Sequence, residues 1–396
     1  MNCKKLYSQE TIDKFLICPD CKKENSIQII DSLYKCKFCS FEGISKFDIP
    51  VLIRKSDYSI YCQSFLGTKY EAPQNPYKGW RWNRFREIAG AELLHFFNVV
   101  YFMTKFGVRK ILNKYCYESL NSYCDEVEKA LFYGWKNYFN LILKSSECYA
   151  FNRMLKYIND ISIEIGCSNN KTTNMIFKGN KILNFGCEYF INTFLTGKDL
   201  NNELFNTTER YLGLSINSVP FRSESVNSVV LVHIVDHIPD LQIWFKEIHR
   251  ILQKNGHIVF TTYSKYVFDN MISVKLIGKI SKKLANLYKE KISSKVTPRG
   301  GIPLKSKNNF YCTGQNLFSL AEWKQIANEH GFEVEDHYYF GKYFSHFMDI
   351  EYRGYYNSAL FNHLLYSCIS EMILDEKKHP IKEEDATNLI LVLKKI

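Results

Sequence analysis

The sequence predicts an α/β chain in which a parallel sheet, covered by helices on both faces, follows a small metal-held N-terminal unit. Three observations predict it. From about residue 156 onward, short apolar runs of strand type alternate with stretches of helical apolar spacing. Four of the thirteen cysteines form two close pairs near the N-terminus. A carboxylate, Glu188, also ends the second strand-like run, 22 residues after Gly166. That is where a nucleotide-binding sheet places its ribose ligand.

The chain has 396 residues, enough for two or three folding units, and its segments divide as 1–55, 56–155 and 156–396. With 46% hydrophobic and 23% charged residues it can bury a real core, which excludes wholesale disorder. The opening residues MNCKKLYSQETIDKF lack the apolar run of a secretory leader. The longest apolar stretch, Phe96 to Thr104, is far short of a spanning helix, so no transmembrane segment is expected and the expected location is cytoplasmic. An odd, scattered set of cysteines does not suit a secreted disulfide scaffold.

In the first unit, Cys18-Pro19-Asp20-Cys21 and Cys36-Lys37-Phe38-Cys39 are separated by fourteen residues. Each pair can turn two thiolates toward one point, and four thiolates satisfy zinc in a closed structural site with no position open for water. Cys18, Cys21, Cys36 and Cys39 are thus the expected metal ligands, with residues 26–30 and 33–35 as a hairpin between the pairs. A redox pair is disfavoured, because no helix with an apolar face follows either one. With Gly43 to Ile53, the unit resembles the small zinc ribbon that accompanies or precedes several methyltransferases. Asp48 stands where the ribbon's closing strand has glycine.

Residues 56–155 are rich in aromatics, including Tyr77 to Phe85, and helical apolar spacing runs over Ala91 to Tyr115 and Cys124 to Leu143. Aromatics interleaved with arginines can stack on bases, but more often form core with snorkelling arginine stems. The segment reads as a helical extension packed on the next domain and roofing its pocket.

In that domain, Ile161 to Cys167 reads as a first strand running into a turn, and Lys181 to Glu188 as a second strand. Then come Val219-Pro220-Phe221, Glu224-Ser225-Val226-Asn227, a strand from Val229 to His233, and Asp236-His237-Ile238-Pro239-Asp240. A helix over Phe245 to Leu252 and the Gly256 turn lead into Ile258-Val259-Phe260. Leu317 to Trp323, Gly331 to Val334 and Asn388 to Leu393 complete the pattern. These elements closely resemble the class I S-adenosylmethionine-dependent methyltransferases, specifically the type 11 group, over roughly 160 to 395. The resemblance implies a Rossmann-like sheet of six parallel strands plus an antiparallel seventh, with helical inserts at 267–310 and 341–387.

It also implies roles. Glu164 and Gly166 match the acid and first glycine of the family's first motif, and Cys167 follows them. Ser168 and Asn170 replace the second and third glycines, and their side chains narrow the site. Glu188 matches the ribose-binding acid. Ser215, with Ile216 beside it, stands where the family has an aspartate that accepts from the adenine amino group. A second register, with Phe185-Gly186-Cys187 as first motif, loses the ribose acid. The implied reaction moves a methyl group from S-adenosylmethionine to an oxygen or nitrogen. Base candidates at the end of the fourth strand are His233, Asp236 and His237, and His233 also lies nearest the expected methyl position. The altered glycines keep a second reading open, a catalytically inactive scaffold or binding protein that has lost its cofactor.

Residues 265–307 hold ten lysines and one arginine against two acids, an excess of +9 within a formal +11 for the whole chain. Over 271–292 the pattern is a basic amphipathic helix. It can make peripheral contact with an anionic membrane, bind phosphates, or cover a core with a solvated outer face. Aromatics from Tyr339 to Tyr356 either line a pocket or pack the second insert's own core. The expected acceptor is small or medium-sized and phosphate-bearing, with RNA as the second partner class.

Overall fold

A computed structural model describes residues 8–31, 33–46, 49–57, 81–117, 123–135, 138–159, 161–167, 171–177, 185–188, 210–238, 240–293, 316–347 and 360–396. The first unit holds α1 (Gln9–Phe15) and strands β1 (Ile27–Ile30), β2 (Leu33–Cys36), β3 (Glu42–Lys46) and β4 (Ile49–Leu52). Ser8 caps α1 by accepting from the Thr11 N–H, and the helix buries Ile12 and Phe15. The expected hairpin is β1 against β2, antiparallel.

The extension is helical, as its spacing predicts, but each of the two expected helices is broken in two. They are α2 (Arg81–Phe106) with α3 (Val108–Tyr117), and α4 (Asp125–Phe132) with α5 (Tyr138–Met154). The breaks fall at Gly107 and Gly134, whose φ values of 98° and 81° stop a helix.

The third unit runs β5 (Ser162–Ile165), α6 (Lys171–Phe177), β6 (Phe185–Glu188), β7 (Arg210–Leu214), β8 (Val226–Val232), α7 (Leu241–Ile251) and β9 (Leu252–Tyr263). It continues with α8 (Ile272–Ile280), α9 (Lys282–Ser293), α10 (Leu320–Glu329), β10 (Phe332–Phe340), α11 (Asn362–Lys378) and β11 (Asn388–Lys395). The expected single basic helix is therefore two, α8 and α9, with a break at Ser281.

Strand order is β1-β2-β3-β4-β7-β6-β5-β8-β9-β11-β10. Strands β7, β6, β5, β8 and β9 pair in parallel, and β11 inserts antiparallel between β9 and β10. This contains the expected six parallel strands and antiparallel seventh, but the sheet has eleven strands. The first unit supplies the excess, because β4 pairs in parallel with the outer edge of β7 (Val51 opposite Gly213, Leu52 opposite Leu214). An open edge presents unpaired N–H and C=O groups, and the four buried residues of β4 cover it.

Strand alternation feeds two cores. Val230, Val232, Val259, Ile390 and Val392 face the layer made by the extension and inserts. Val229, Leu231, Ile258, Phe260, Leu389 and Leu391 face α7, α10 and the first unit. On the first face α11 packs against α2, α3, α4 and α5, so the extension and the second insert form one helical layer. This settles the aromatics that the structure describes. Tyr343, Phe344 and Phe347 are buried, with Phe102 against Tyr343 and Phe347, so they pack core and do not line an open pocket. Tyr352, Tyr355 and Tyr356 lie outside the described residues, as do 294–310 of the first insert and Tyr77 to Trp80 of the extension.

Candidate active site at the carboxyl edge of the sheet

The strand order reverses between β5 and β8, the position where open α/β sheets bind ligands. The strand at that point is β5, so Gly166, not Gly186, follows the central strand. In register, Ile165 pairs with Cys187 and Leu231, Cys187 with Leu212, and Leu231 with Phe260. This row brings Gly166, Glu188, Ser215, His233 and Thr261 to one edge, each within three residues of it.

Gly166 adopts φ 83°, and its N–H donates to Cys187 O at 2.8 Å, an acceptor it shares with Cys167 N–H at 3.2 Å. A Cβ at Gly166 would fall 2.5 Å from side-chain carbons of Ile234, so only glycine fits the turn. Glu164 is buried and accepts from the Thr173 hydroxyl, which ties α6 to β5. Ser168 and Asn170 lie outside the described residues, and of Glu188 and His237 only the backbone is described.

His233 follows β8 directly, with a left-handed φ of 51°. A non-glycine residue there stores strain, and such strain collects at functional sites. Its N–H donates to Thr261 Oγ1 at 3.1 Å and Thr261 O at 3.2 Å. Its Nε2 lies 3.3 Å from Oε1 of Glu147, a fully buried carboxylate on α5. Thr261 Oγ1 donates to the same Glu147 oxygen at 3.0 Å, and Lys144 Nζ lies 2.7 Å from the other. The Tyr263 ring sits 4.8 Å from the imidazole.

This cluster joins the ends of β8 and β9 to the extension. A carboxylate beside an imidazole stabilises the imidazolium formed when the ring takes a proton, which is the arrangement of a base and its orienting group. Lys144 balances the carboxylate while the ring is neutral. Glu147 carries no sequence motif, and its helix reads only as part of a cap.

Asp236 is buried, and Val235–His237 forms a short 3-10 turn. Asn316 fixes that turn, since its Nδ2 donates to Val235 O at 2.9 Å and Ile238 O at 2.7 Å. On the other side of the switch point, Ser215 is buried and its hydroxyl accepts from Asn217 N–H at 3.2 Å. Ile216 is half-buried beside it. Asn227 ties strands together: it accepts from Ile161 N–H and donates to Gln253.

The first unit grips the loop that begins at Ser215. Ser218 Oγ donates to Pro19 O at 2.6 Å, between the two cysteines of the first pair. Ile17 N–H donates to Pro220 O at 2.9 Å, and Phe15 meets Phe185 edge-on at 5.3 Å. Glu247 lies 2.8 Å from Lys22, 3.0 Å from Arg250 and accepts from Val219 N–H. Burial lowers the Lys22 amine to about 8. Burial alone would raise the Glu247 carboxyl, but Arg250 and Lys22 outweigh it and hold the group below its usual range.

Cys18, Cys21, Cys36 and Cys39 have sulfurs within 4.8 Å of one another, with two contacts at 3.6 Å. A tetrahedron with bonds of ~2.3 Å has an edge of about 3.8 Å, so the donor set fits zinc. No other group of three or more such donors occurs among the described residues.

Residues 163–260 match the model of a family described as a methyltransferase domain. No curated protein matches the sequence. Solved structures similar in fold include the YcgJ protein from Bacillus subtilis, 12% identical, covering 62% of this chain and 97% of that one at a TM-score of 0.38. Geranyl diphosphate C-methyltransferase from Streptomyces coelicolor A3(2) is also 12% identical, covering 65% of this chain and 79% of that one at a TM-score of 0.37. Both are loose likenesses of fold.

Proposed function

We propose that this chain, of which residues 163–260 match a methyltransferase domain, is a class I methyltransferase that transfers a methyl group from S-adenosylmethionine to an oxygen or nitrogen of a small or medium-sized anionic acceptor. The observation that carries this reading is the His233–Glu147–Thr261 cluster, set beside the glycine-only turn at Gly166 where the strand order reverses.

S-adenosylmethionine supplies the electrophilic sulfonium methyl. The Gly166–Cys167 turn offers close backbone approach. Glu188 supplies the carboxylate for the ribose hydroxyls, and Ser215 with Ile216 forms the adenine side. Zinc on Cys18, Cys21, Cys36 and Cys39 stays structural and steadies the Ser215–Ser218 loop through Pro19. His233 takes the acceptor's proton, Glu147 balances the charge that forms, and Thr261 holds both. Aligning nucleophile and methyl supplies much of the acceleration, and the base adds to it. Asp236 is buried in the turn after β8, which Asn316 pins.

An anionic acceptor is supported by the lysines of α8 and α9, which follow the carboxyl end of β9. RNA is disfavoured, because aliphatic side chains are exposed between those lysines and phosphates would leave them uncovered. Two observations favour the inactive-scaffold reading: Glu164 is spent on Thr173, and Ile234 crowds Gly166. The test is S-adenosylhomocysteine formation with a panel of phosphate-bearing acceptors. Turnover by the parent that is lost in His233→Ala supports the proposal. Cofactor binding without turnover on any acceptor favours the scaffold.

A further inference from the structure

We infer that the α8–α9 hairpin is a docking surface for an anionic membrane. The hairpin meets the protein's core through Met271, Val274 and Ala285, with Ile277 and Tyr288 partly buried beside them. The inward face thus has an apolar set of its own without help from the outer one. An outer face turned only to water would be polar. Instead Leu276, Ile280, Leu284 and Leu287 are exposed, Ile280 to 85%. Leu276 and Ile280 lie one turn apart on α8, and Leu284 and Leu287 one turn apart on α9, so each helix exposes a short aliphatic ridge.

Lys275, Lys279, Lys282 and Lys283 are exposed between these side chains, and no acid occurs from Ile272 to Lys289. Aliphatic tips that sink below the headgroups, with lysine stems snorkelling back to anionic phosphates, satisfy both residue types at once. Other occupants satisfy only one. A nucleic-acid backbone would leave the ridges in water, and a second copy of the chain would set one lysine row against another. No helix among the described residues is long and apolar enough to cross a membrane, so the contact is with its surface.

There is a second exposed apolar face. On α2, Leu93, Phe97, Val100 and Tyr101 are exposed, Phe97 to 58%. The two elements meet around His346, which stacks on Tyr101 at 5.0 Å. Burial, with Lys105 of α2 and Lys275 of α8 both near, holds its imidazole down at about 4. If the methyl-transfer reading also holds, a bilayer seated here can present a lipid-linked acceptor, because the hairpin follows the carboxyl end of β9, the strand that carries Thr261. The docking inference itself does not need that reading.

The test is flotation of the full chain with vesicles of phosphatidylcholine alone and of phosphatidylcholine mixed equally with phosphatidylglycerol. Binding is expected to the anionic vesicles only. The double substitutions Ile280→Asp with Leu284→Asp, and Lys279→Gln with Lys283→Gln, each weaken it by about tenfold or more. All four side chains are exposed, so thermal unfolding and S-adenosylmethionine binding stay at parental values, which separates failure of docking from failure of methyl transfer. Equal binding to neutral vesicles, no binding to either, or binding indifferent to both double substitutions overturns the inference. So does a dimer in light scattering that Ile280→Asp dissolves, or RNA binding that responds to the lysine changes alone.

Discussion

Glu147 Oε1 lies 3.3 Å from His233 Nε2, although one residue sits on a helix that precedes β5 and the other at the end of β8. Thr261 donates to that carboxylate and accepts from the histidine's N–H, so three elements meet in one polar cluster beneath the helical layer. The extension thereby contributes Glu147 to this cluster.

Glu147→Gln keeps the shape of the side chain but removes the charge that balances a protonated His233. Turnover is expected to fall about a hundredfold, with cofactor affinity changed by no more than about threefold. Stability should fall by about 1–3 kcal/mol, because Lys144 loses its buried partner. Steady-state kinetics beside a cofactor titration separates these effects. Full turnover in this variant removes Glu147 from the mechanism.

Gly166→Ala meets two separate penalties. A left-handed φ costs an alanine about 1 kcal/mol, and the overlap with Ile234 costs roughly 1–3 kcal/mol more. The double variant Gly166→Ala with Ile234→Ala should recover part of the second penalty and none of the first. Urea unfolding of the three proteins measures this. If the single variant is as stable as the parent, the turn is not as tight as described.

Zinc should be present at about one per chain by elemental analysis, and Cys39→Ser should lose it. Because Ser218 hangs from Pro19 between two of the ligands, losing the metal also loosens the loop that begins at Ser215. One lost hydrogen bond of about 1 kcal/mol predicts a five- to tenfold weaker cofactor, roughly. An unchanged affinity in the zinc-free protein would mean that the ribbon does not support the site.

Glu376 gives a pH signature. It is fully buried and accepts from Gly341 N–H, Tyr343 N–H and the Ser146 hydroxyl, yet burial raises its carboxyl from 4.5 to about 7. The folded state therefore holds a proton that the unfolded state releases. Its contribution is present below pH 4.5 and lost as pH rises through 7, in all about 3 kcal/mol. His346, lowered to about 4, works in the opposite sense between pH 4 and 6.5, so the parent's own profile mixes the two. The difference between Glu376→Gln and parent isolates the carboxyl: it should move in the variant's favour from pH 4.5 to 7. A flat difference contradicts the burial argument.

Local patterns made much of this legible. Apolar alternation marked β8, β9 and β11, and paired spacing marked the four cysteines, because both signals lie within a few residues of chain. Gly107 and Gly134 were visible inside the helical spacing and could have marked the breaks. The pairing of β4 with β7 was not legible, because it depends on which edge of the sheet is left open. Glu147 was invisible for a related reason: a helical glutamate looks solvated until the fold brings Thr261, His233 and Lys144 around it. Asn316, pinning the turn after β8, is the same kind of residue.

The edge built by Gly166, Glu188, Ser215 and His233 is expected to hold S-adenosylmethionine. Calorimetric titration of the zinc-loaded full chain with that cofactor, beside Glu188→Ala, is the decisive test. Saturable binding by the parent that is lost in Glu188→Ala, with unfolding temperatures matched, is the predicted result. No heat of binding at high cofactor concentration, or equal binding by both proteins, would contradict it.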